Sequence, residues 1–135
     1  MLLNDKVAVI TGAALARGLG FATARLFAEQ GARVAILDLD ADAAAAAAAQ
    51  LGDQHLGLAA DVTNEHQVQQ AIAEVINRYG RIDVLVNNAG ITQPLKLMEI
   101  AQNNYDAVLD VSLLGTLLAS QAVIPTMRAQ GSGSI

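Results

Sequence analysis

Short apolar runs alternate along this chain with longer stretches in which apolar residues recur at helical spacing. Three of the runs are continuously apolar and rich in β-branched residues, which is typical of parallel strands covered on both faces. Repetition of this unit predicts an α/β fold with helices on both faces of a parallel sheet. The predicted strands are residues 6–10, 33–37, a weaker one at 55–60, and 82–86.

The stretches between these runs predict helices, and the first three are followed by glycine, which readily takes the left-handed turn after a helix. Asn64 and Gln67 can form a capping box at the start of the third helix. The last helix is apolar on most sides over residues 108–124, so we expect it to be buried. The alanine run 43–49 predicts a surface helix without chemistry. The predicted helices are residues 20–30, 41–50, 64–79 and 102–128.

Composition narrows the class of protein. The 135 residues allow one ordinary domain, and a net charge of −5 with 3% aromatic residues argues against a nucleic-acid surface. Zero cysteines exclude disulfides and thiolate catalysis, and His55 and His66 lack metal-ligand spacing, so both are expected on the surface and no metal is expected. We find neither a signal-like start nor an apolar stretch of about 20 residues, so a cytoplasmic protein without membrane contact is expected.

A glycine-rich loop follows the first predicted strand and opens the first predicted helix. A bound phosphate needs backbone N–H groups that are not shielded by a Cβ atom, and it gains from the positive end of a helix dipole. Glycines also mark ordinary tight turns, but the strand–loop–helix context favours a dinucleotide site. The candidate cofactor-binding residues here are Gly12, Arg17, Gly18, Leu19 and Gly20.

An acidic residue, Asp38, ends the second predicted strand 18 residues after Gly20. A carboxylate at this distance can accept hydrogen bonds from both hydroxyls of an adenosine ribose, although it could also be a solvated loop acid like Asp40 and Asp42. It would repel a 2′-phosphate, so NAD is favoured over NADP as the cofactor. Arg17 is then a solvated residue or a pyrophosphate contact.

With the Asn87-Asn88-Ala89-Gly90 turn after the fourth strand, the whole chain resembles the N-terminal part of a main-branch short-chain dehydrogenase/reductase, similar to 3-oxoacyl-acyl-carrier-protein reductases. The resemblance implies a Rossmann-type doubly wound sheet with strand order 3-2-1-4. It also implies that Asn87 helps to hold the sheet and that Ala89 and Gly90 let the cofactor ribose approach the backbone. Asp61 and Val62 match adenine-contacting positions, although Asp61 could instead cap the following helix. Val111 matches a position that often lines the adenine side.

Two features depart from the family pattern. Five residues separate Gly12 from Gly18, where the main branch usually has three. This spacing is similar to enoyl-acyl-carrier-protein reductases, but the turn at 87–90 favours a two-residue insertion among residues 14–16. Ser112 stands where the family usually places an Asn that anchors a water in the proton relay. Ser112 is therefore the candidate catalytic residue, or else a polar residue tucked inside a helix.

The catalytic pair of the family, a Tyr with a Lys four residues later, is absent. Tyr79 is followed at that spacing by Asp83, and Tyr105 by Leu109. The chain is therefore expected to be an incomplete domain, residues 1–135, that stops at the start of strand five and leaves the fourth strand as an open edge. Such a chain is expected to be inactive alone and to form a homo-oligomer or to need a missing C-terminal segment.

Three functions follow from these features. The first is the cofactor-binding half of an NAD(P)-dependent oxidoreductase that exchanges hydride with a small-molecule secondary alcohol or ketone. The second is a non-catalytic dinucleotide-binding module or fragment. The third is a methyltransferase-like fold that binds S-adenosylmethionine, which the turn at 87–90 disfavours.

Overall fold

The computed structural model describes all residues 1–135, and a four-stranded parallel sheet lies at its centre. The strands are β1 (Val7–Thr11), β2 (Arg33–Asp38), β3 (Leu56–Ala59) and β4 (Val84–Val86). They are ordered β3-β2-β1-β4, and every neighbouring pair is parallel, so the predicted sheet is confirmed.

The chain has five α-helices: α1 (Leu19–Glu29), α2 (Ala41–Leu51), α3 (Glu65–Tyr79), α4 (Gln102–Leu109) and α5 (Gly115–Gln130). All of them except α4 bury residues against the sheet. A π-helical turn, Asp110–Leu114, joins α4 to α5, so the single last helix expected from the sequence is interrupted. The glycine after α3 is confirmed as its end, because Gly80 takes the left-handed conformation with φ of 75°.

Alternate residues of the central strands supply two separate apolar layers. On β2, Val34 and Ile36 pack with the residues of α1 and α2, whereas Ala35 and Leu37 pack with those of α3 and α5. This alternation follows from the period of two along a strand. Because both faces of the sheet are covered, the strand sequences are continuously apolar.

The alanine run forms an amphipathic surface helix. Ala44, Ala47 and Ala48 are buried, and the rest of the run is exposed or half-buried. Gly57 of β3 lies directly against the carbonyl of Ala44, where a Cβ atom would clash. Small residues on both elements therefore let the helix approach the sheet closely.

The helix over 108–124 is far less buried than its apolar sequence predicts. No residue of α4 is buried, and Leu113 and Leu117 are 65% and 51% exposed, while Ala119 and Val123 face the core. By length and composition alone, residues Gln102–Gln130 could cross a membrane, which corrects the statement that no such apolar stretch exists. A single helix of this kind is weak support for a membrane span.

The capping box predicted for α3 is half formed. The side chain of Asn64 accepts a hydrogen bond from the Gln67 N–H at 3.1 Å, as predicted. The side chain of Gln67 does not return to Asn64; it accepts from the N–H of Asp61 at 2.9 Å. Gln67 therefore fastens the loop after β3 to α3.

The predicted open edge of β4 is paired at one point. The Leu85 N–H donates to the carbonyl of Ser134 at 2.9 Å, and the Ser134 N–H donates to the carbonyl of Asp83 at 2.9 Å. Val84 and Ser134 thus form a parallel bridge, which agrees with the expected start of a fifth strand.

A charged cluster closes the amino ends of β1 and β4. The buried carboxylate of Asp83 accepts two hydrogen bonds from the Arg81 guanidinium, at 2.8 and 2.6 Å, and one from the Val7 N–H at 2.9 Å. The ammonium of Lys6 lies 3.8 Å away. Burial alone would raise the pKa of Asp83, but these hydrogen bonds and positive charges hold it below its ordinary value.

His55 lies at the same end of the sheet and corrects the prediction that it is a surface residue. It is 9% exposed, and its Nδ1 accepts a hydrogen bond from the Val34 N–H at 3.0 Å. Burial lowers the pKa of this imidazole, which favours the neutral form that can accept the bond. His66 is exposed as predicted.

Candidate cofactor site

A cleft of about 380 Å³ opens at the carboxyl ends of β1, β2 and β4. This is the edge at which open α/β sheets bind ligands. Ten of the twelve residues predicted to bind a cofactor line it. They are Gly12, Gly18, Leu19, Gly20, Asp38, Asp61, Val62, Ala89, Gly90 and Val111.

The other two predicted residues, Arg17 and Asn87, lie outside the cleft lining. Arg17 is exposed and makes no ion pair. Asn87 points to the last helix, where its Nδ2 donates to Ser120 Oγ at 3.3 Å. It links β4 to α5.

Asn88 links the turn after β4 to β1. Its Nδ2 donates to the carbonyls of Thr11 and Gly12, at 3.0 and 2.9 Å. In return, the buried hydroxyl oxygen of Thr11 accepts hydrogen bonds from the N–H groups of Asn88 and Ala89, at 3.2 and 3.0 Å. The turn after β4 is thereby fixed to the glycine loop after β1.

Two glycines in the loop keep the backbone clear. Gly12 has a φ of +65°, and a Cβ atom there would lie 2.7 Å from the Cα of Ala89. A Cβ atom on Gly20 would meet the side-chain amide of Asn88 and the backbone of Ala13. The first turn of α1 directly follows, and its N–H groups have no partner within the helix. The loop is therefore shaped to accept an anionic group such as a pyrophosphate.

Asp38 fastens the loop as well as lining the cleft. Its Oδ2 accepts from the Ala14 N–H at 3.0 Å, and its Oδ1 accepts from the Leu39 N–H at 2.8 Å. A carboxylate has about four acceptor positions, so two are left for the hydroxyls of a ligand. The lining residues include two carboxylates, Asp38 and Asp61, and no basic side chain.

Asp61 does not cap α3, because Asn64 does. Its Oδ1 accepts from the N–H and hydroxyl of Thr63, at 2.9 and 2.7 Å, in a turn that sets the direction of the loop. Next to it, Val62 packs so closely on Gly115 that a Cβ atom there would lie 2.7 Å away. This contact presses the start of α5 against the cleft wall.

A sequence model of the family described as short chain dehydrogenase matches residues 6–135. The chain belongs to the short-chain dehydrogenase/reductase family. This membership makes the methyltransferase-like interpretation wrong.

Curated relatives of this family resemble the whole chain but are about twice as long. An uncharacterized short-chain type dehydrogenase/reductase of Sinorhizobium fredii is 48% identical, covering 100% of this chain and 55% of the relative. The 3-oxoacyl-[acyl-carrier-protein] reductase of Thermotoga maritima is 41% identical with the same coverage, and a sorbitol dehydrogenase of Cereibacter sphaeroides is 41% identical over 98% and 51%.

The solved structures give the same result. The crystal structure of 3-ketoacyl-(acyl-carrier-protein) reductase from Brucella melitensis, complexed with NADH, superimposes with a TM-score of 0.90 at 36% identity. The match covers 96% of this chain and 53% of that chain. The chain thus has the Rossmann-type sheet of this family and spans about half the length of the relatives that it matches.

The π-helical turn, Asp110–Leu114, supplies one residue of the cleft lining. Val111 lines the cleft from this turn, and a Cβ atom placed on Gly90 would lie 3.7 Å from Ser112 Oγ. Ser112 is exposed, so it is not a polar residue tucked inside a helix. Single π turns are common at functional sites, and no period in the sequence announces one.

Tyr79 is a packing residue, as its position beside a glycine indicates. Its ring packs against the core, its hydroxyl donates to the carbonyl of Gln54 at 2.7 Å, and burial raises its pKa. A catalytic proton donor needs a pKa shifted toward neutral pH, which is the opposite direction.

Sequence reasoning missed six residues that line the cleft. Three of them had a signal: Leu15 lies within the longer glycine loop, Leu39 directly follows Asp38, and Asn88 belongs to the turn at 87–90. The others are ordinary strand-end or turn residues without a distinguishing pattern. The six are Leu15, Leu37, Leu39, Ala60, Asn88 and Ile91.

Proposed function

We propose that residues 1–135 form the N-terminal, NAD-binding half of an oxidoreductase that exchanges hydride with a small secondary alcohol or ketone. The observation that carries this proposal is the cleft itself. It combines a glycine-rich loop, whose backbone is not shielded by Cβ atoms, with a carboxylate at the end of β2. Family membership and the NADH-complexed neighbour support a nicotinamide dinucleotide as the cofactor.

The residues that are present fit such a cofactor. The loop from Gly12 to Gly20 would hold the pyrophosphate through backbone N–H groups at the start of α1. Asp38 would accept hydrogen bonds from the adenosine ribose, Asp61 and Val62 would contact adenine, and Val111 would line that side. Ala89 and Gly90 would let the second ribose approach the backbone.

Electrostatics favours NAD over NADP. Two like charges about 4 Å apart cost about 4 kcal/mol at intermediate dielectric, so a 2′-phosphate beside Asp38 is strongly disfavoured. No basic side chain lines the cleft to offset this repulsion, because Arg17 lies outside the cleft lining.

When bound, the nicotinamide ring would supply the hydride acceptor or donor. Ser112, whose Oγ lies close to Gly90, would hold a water in place of the usual Asn. The substrate class rests on relatives whose names are sorbitol dehydrogenase, D-threitol dehydrogenase and galactitol 2-dehydrogenase, all of which are named for small polyols. We expect the 135 residues not to transfer hydride by themselves, because Tyr79 is committed to packing and Tyr105 has no partner lysine.

The proposal is tested by titrating the chain with NADH and NADPH in a calorimeter. We expect NADH to bind at least tenfold more tightly than NADPH. Asp38→Asn keeps an acceptor for the Ala14 N–H but removes the charge, so it should reduce this preference to about threefold or less. Asp53→Asn, at an exposed acid far from the cleft lining, is the matched control and should bind like the parent chain. Tighter binding of NADPH by the parent chain would refute the NAD assignment.

We further propose that the protein is a soluble, cytoplasmic homo-oligomer. The subunits would associate through the exposed apolar face of α4 and α5. Leu109, Leu113, Leu117 and Ile124 are 37%, 65%, 51% and 39% exposed, which is unusual for a set of large apolar residues on one helical segment. Sedimentation equilibrium would detect the association, and a monomer at micromolar concentration would contradict it.

A further inference from the structure

A side-chain amide pairs with the backbone at the outer edge of the sheet, directly before β4. Gln130, the last residue of α5, accepts a hydrogen bond from the Ile82 N–H through Oε1 at 3.0 Å. Its Nε2 donates to the carbonyl of the same residue at 2.8 Å. An N–H and a carbonyl are the groups that a neighbouring strand would pair. The amide of Gln130 therefore takes the place of a strand residue beside Ile82.

The chain that follows α5 joins the same edge two residues further along. It first turns back on itself, because the Ser132 N–H donates to the carbonyl of Met127 at 3.2 Å. The Nε2 of Gln130 also reaches the Ser132 carbonyl, at 3.3 Å. Ser134 then forms its parallel bridge with Val84. Gln130 thus contacts both the edge of the sheet and the turn that leads to it.

The helix α5 is fastened to β4 at both ends of the strand. The contact of Asn87 with Ser120 lies at the carboxyl end, and the contact of Ile82 with Gln130 lies at the amino end. Ten residues separate the two helix positions, which is about 15 Å along a helix. Five residues separate the two strand positions, which is about 17 Å along a strand. The two lengths agree, so both contacts can form together at one lengthwise position of α5.

We propose that Gln130 is a pin that fixes the lengthwise position of α5 on β4 and, with it, the register in which the following chain joins the sheet. The apolar contacts of Ala119, Val123 and Met127 hold α5 to the core, but apolar burial has no direction and does not select a register. A slip of one residue would turn each side chain of the joining segment to the opposite face. This inference goes beyond the proposed function and does not depend on a cofactor.

The test is amide hydrogen exchange, followed by NMR, in the parent chain and in Gln130→Ala. The Ile82 amide should exchange about tenfold faster in the variant, because its acceptor is gone. The Leu85 amide donates to Ser134 and not to Gln130, yet it should exchange about threefold faster or more, since that pairing depends on the pin. Amides of the β1–β2 ladder should keep their parental rates.

Two further variants and a control sharpen the test. Gln130→Asn keeps the amide but is one methylene shorter, so it should behave like Gln130→Ala. Gln130→Glu can accept from the Ile82 N–H but cannot donate to its carbonyl, so Ile82 should stay protected while Leu85 exchanges faster. It keeps the test readable if Gln130→Ala fails to fold. Gln50→Ala, at an exposed glutamine of α2, should have parental rates throughout.

Three results would overturn the proposal. An unchanged Ile82 rate in Gln130→Ala would mean that the amide does not pair with the edge. A faster Ile82 amide with a parental Leu85 amide would mean that Gln130 satisfies one residue and that the register is set elsewhere. Equal acceleration of the β1–β2 ladder would mean general destabilisation. None of these rates depends on NADH binding, so this inference and the proposed function can fail separately.

Discussion

At the amino ends of β1 and β4, one buried carboxylate joins the strands; at the carboxyl ends of the same strands, neutral groups do so. Asp83 gathers an arginine, a lysine and a backbone N–H around itself. At the other end, Thr11 and Asn88 exchange four hydrogen bonds with backbone groups and carry no charge. Both ends are tied, but only the carboxyl end leaves a cleft.

This difference between the two ends of the sheet indicates that the amino end serves stability and the carboxyl end serves binding. Charged side chains in contact with one another fill the amino end, so a substitution there removes contacts on which folding depends. At the carboxyl end, glycines leave volume empty and the backbone uncovered, so a change there fills space that a ligand would use. Variants at the two ends should therefore fail in different assays.

The largest effect should follow from Asp83→Ala. It leaves the buried Val7 N–H without an acceptor and removes the partner of Arg81, which should lower the free energy of unfolding by about 3 kcal/mol. Urea unfolding measures this loss. NADH affinity, measured where the variant is fully folded, should stay within about twofold of the parent if the two ends are independent.

Asp53→Ala is the control for this variant, since Asp53 is an exposed acid and makes no ion pair. It should change the free energy of unfolding by less than about 0.5 kcal/mol. An equal loss in both variants would mean that net charge, and not the closed end of the sheet, controls stability.

A smaller effect, mainly on binding, should follow from Gly12→Ala. The left-handed backbone of Gly12 costs an alanine about 1 kcal/mol, and the added Cβ atom must also push Ala89 away. Because the turn at 87–90 and the loop form the cleft together, NADH affinity should fall by about tenfold or more. Calorimetry on the folded variant measures the loss.

Gly80→Ala is the control for Gly12→Ala, because it carries the backbone penalty without the clash. Gly80 has a similar φ of +75° at the end of α3, and nothing lies within 4 Å of its would-be Cβ atom. It should lose about 1 kcal/mol of stability from the backbone alone, less than Gly12→Ala loses, and it should bind NADH like the parent. If Gly80→Ala weakened binding as much as Gly12→Ala, the effect would come from general destabilisation, and the assignment of the cleft would lose its support.

The carboxyl end was the more predictable of the two from the sequence. The family resemblance implied the strand order, and ten of the twelve residues proposed to bind a cofactor line the cleft, because a loop between a strand and a helix can reach only one edge of the sheet. Asn87 and Asn88 were the exception. The amide of Asn87 meets Ser120 and that of Asn88 meets the backbone of Thr11, and two adjacent identical residues in a sequence do not show which amide meets which partner.

The contacts at the amino end of the sheet could not be predicted from the sequence. Asp83, Arg81 and Lys6 are ordinary charged residues at strand starts, and their meeting depends on how β4 pairs with β1. His55 likewise looks like a polar loop residue until the pairing of β2 with β3 brings it to the Val34 N–H. The prediction that the helix over residues 108–124 is buried was wrong for a related reason. An apolar sequence does not show whether the surface that would cover it belongs to this chain.

The smallest predicted effect tests whether the amino end also responds to pH. Burial holds the pKa of His55 below its ordinary value of about 6.5, so the unfolded chain binds a proton at His55 more readily than the folded chain does. The stability that the neutral imidazole contributes is fully present above pH 6.5 and is lost as the pH falls from there through the lowered pKa. Asp83, whose pKa is also lowered, loses its contribution only in more acidic solution, below its ordinary range near 3.8.

Urea unfolding between pH 7.5 and pH 5 should therefore show stability falling by less than about 1.4 kcal/mol per pH unit, the limit for uptake of one proton. His55→Asn places a carbonyl oxygen where Nδ1 accepts from Val34 and cannot titrate, so its profile should be flatter. His66→Asn, at an exposed histidine, should retain the parental slope. A parental slope in His55→Asn would instead assign the pH response to groups outside the closed end of the sheet.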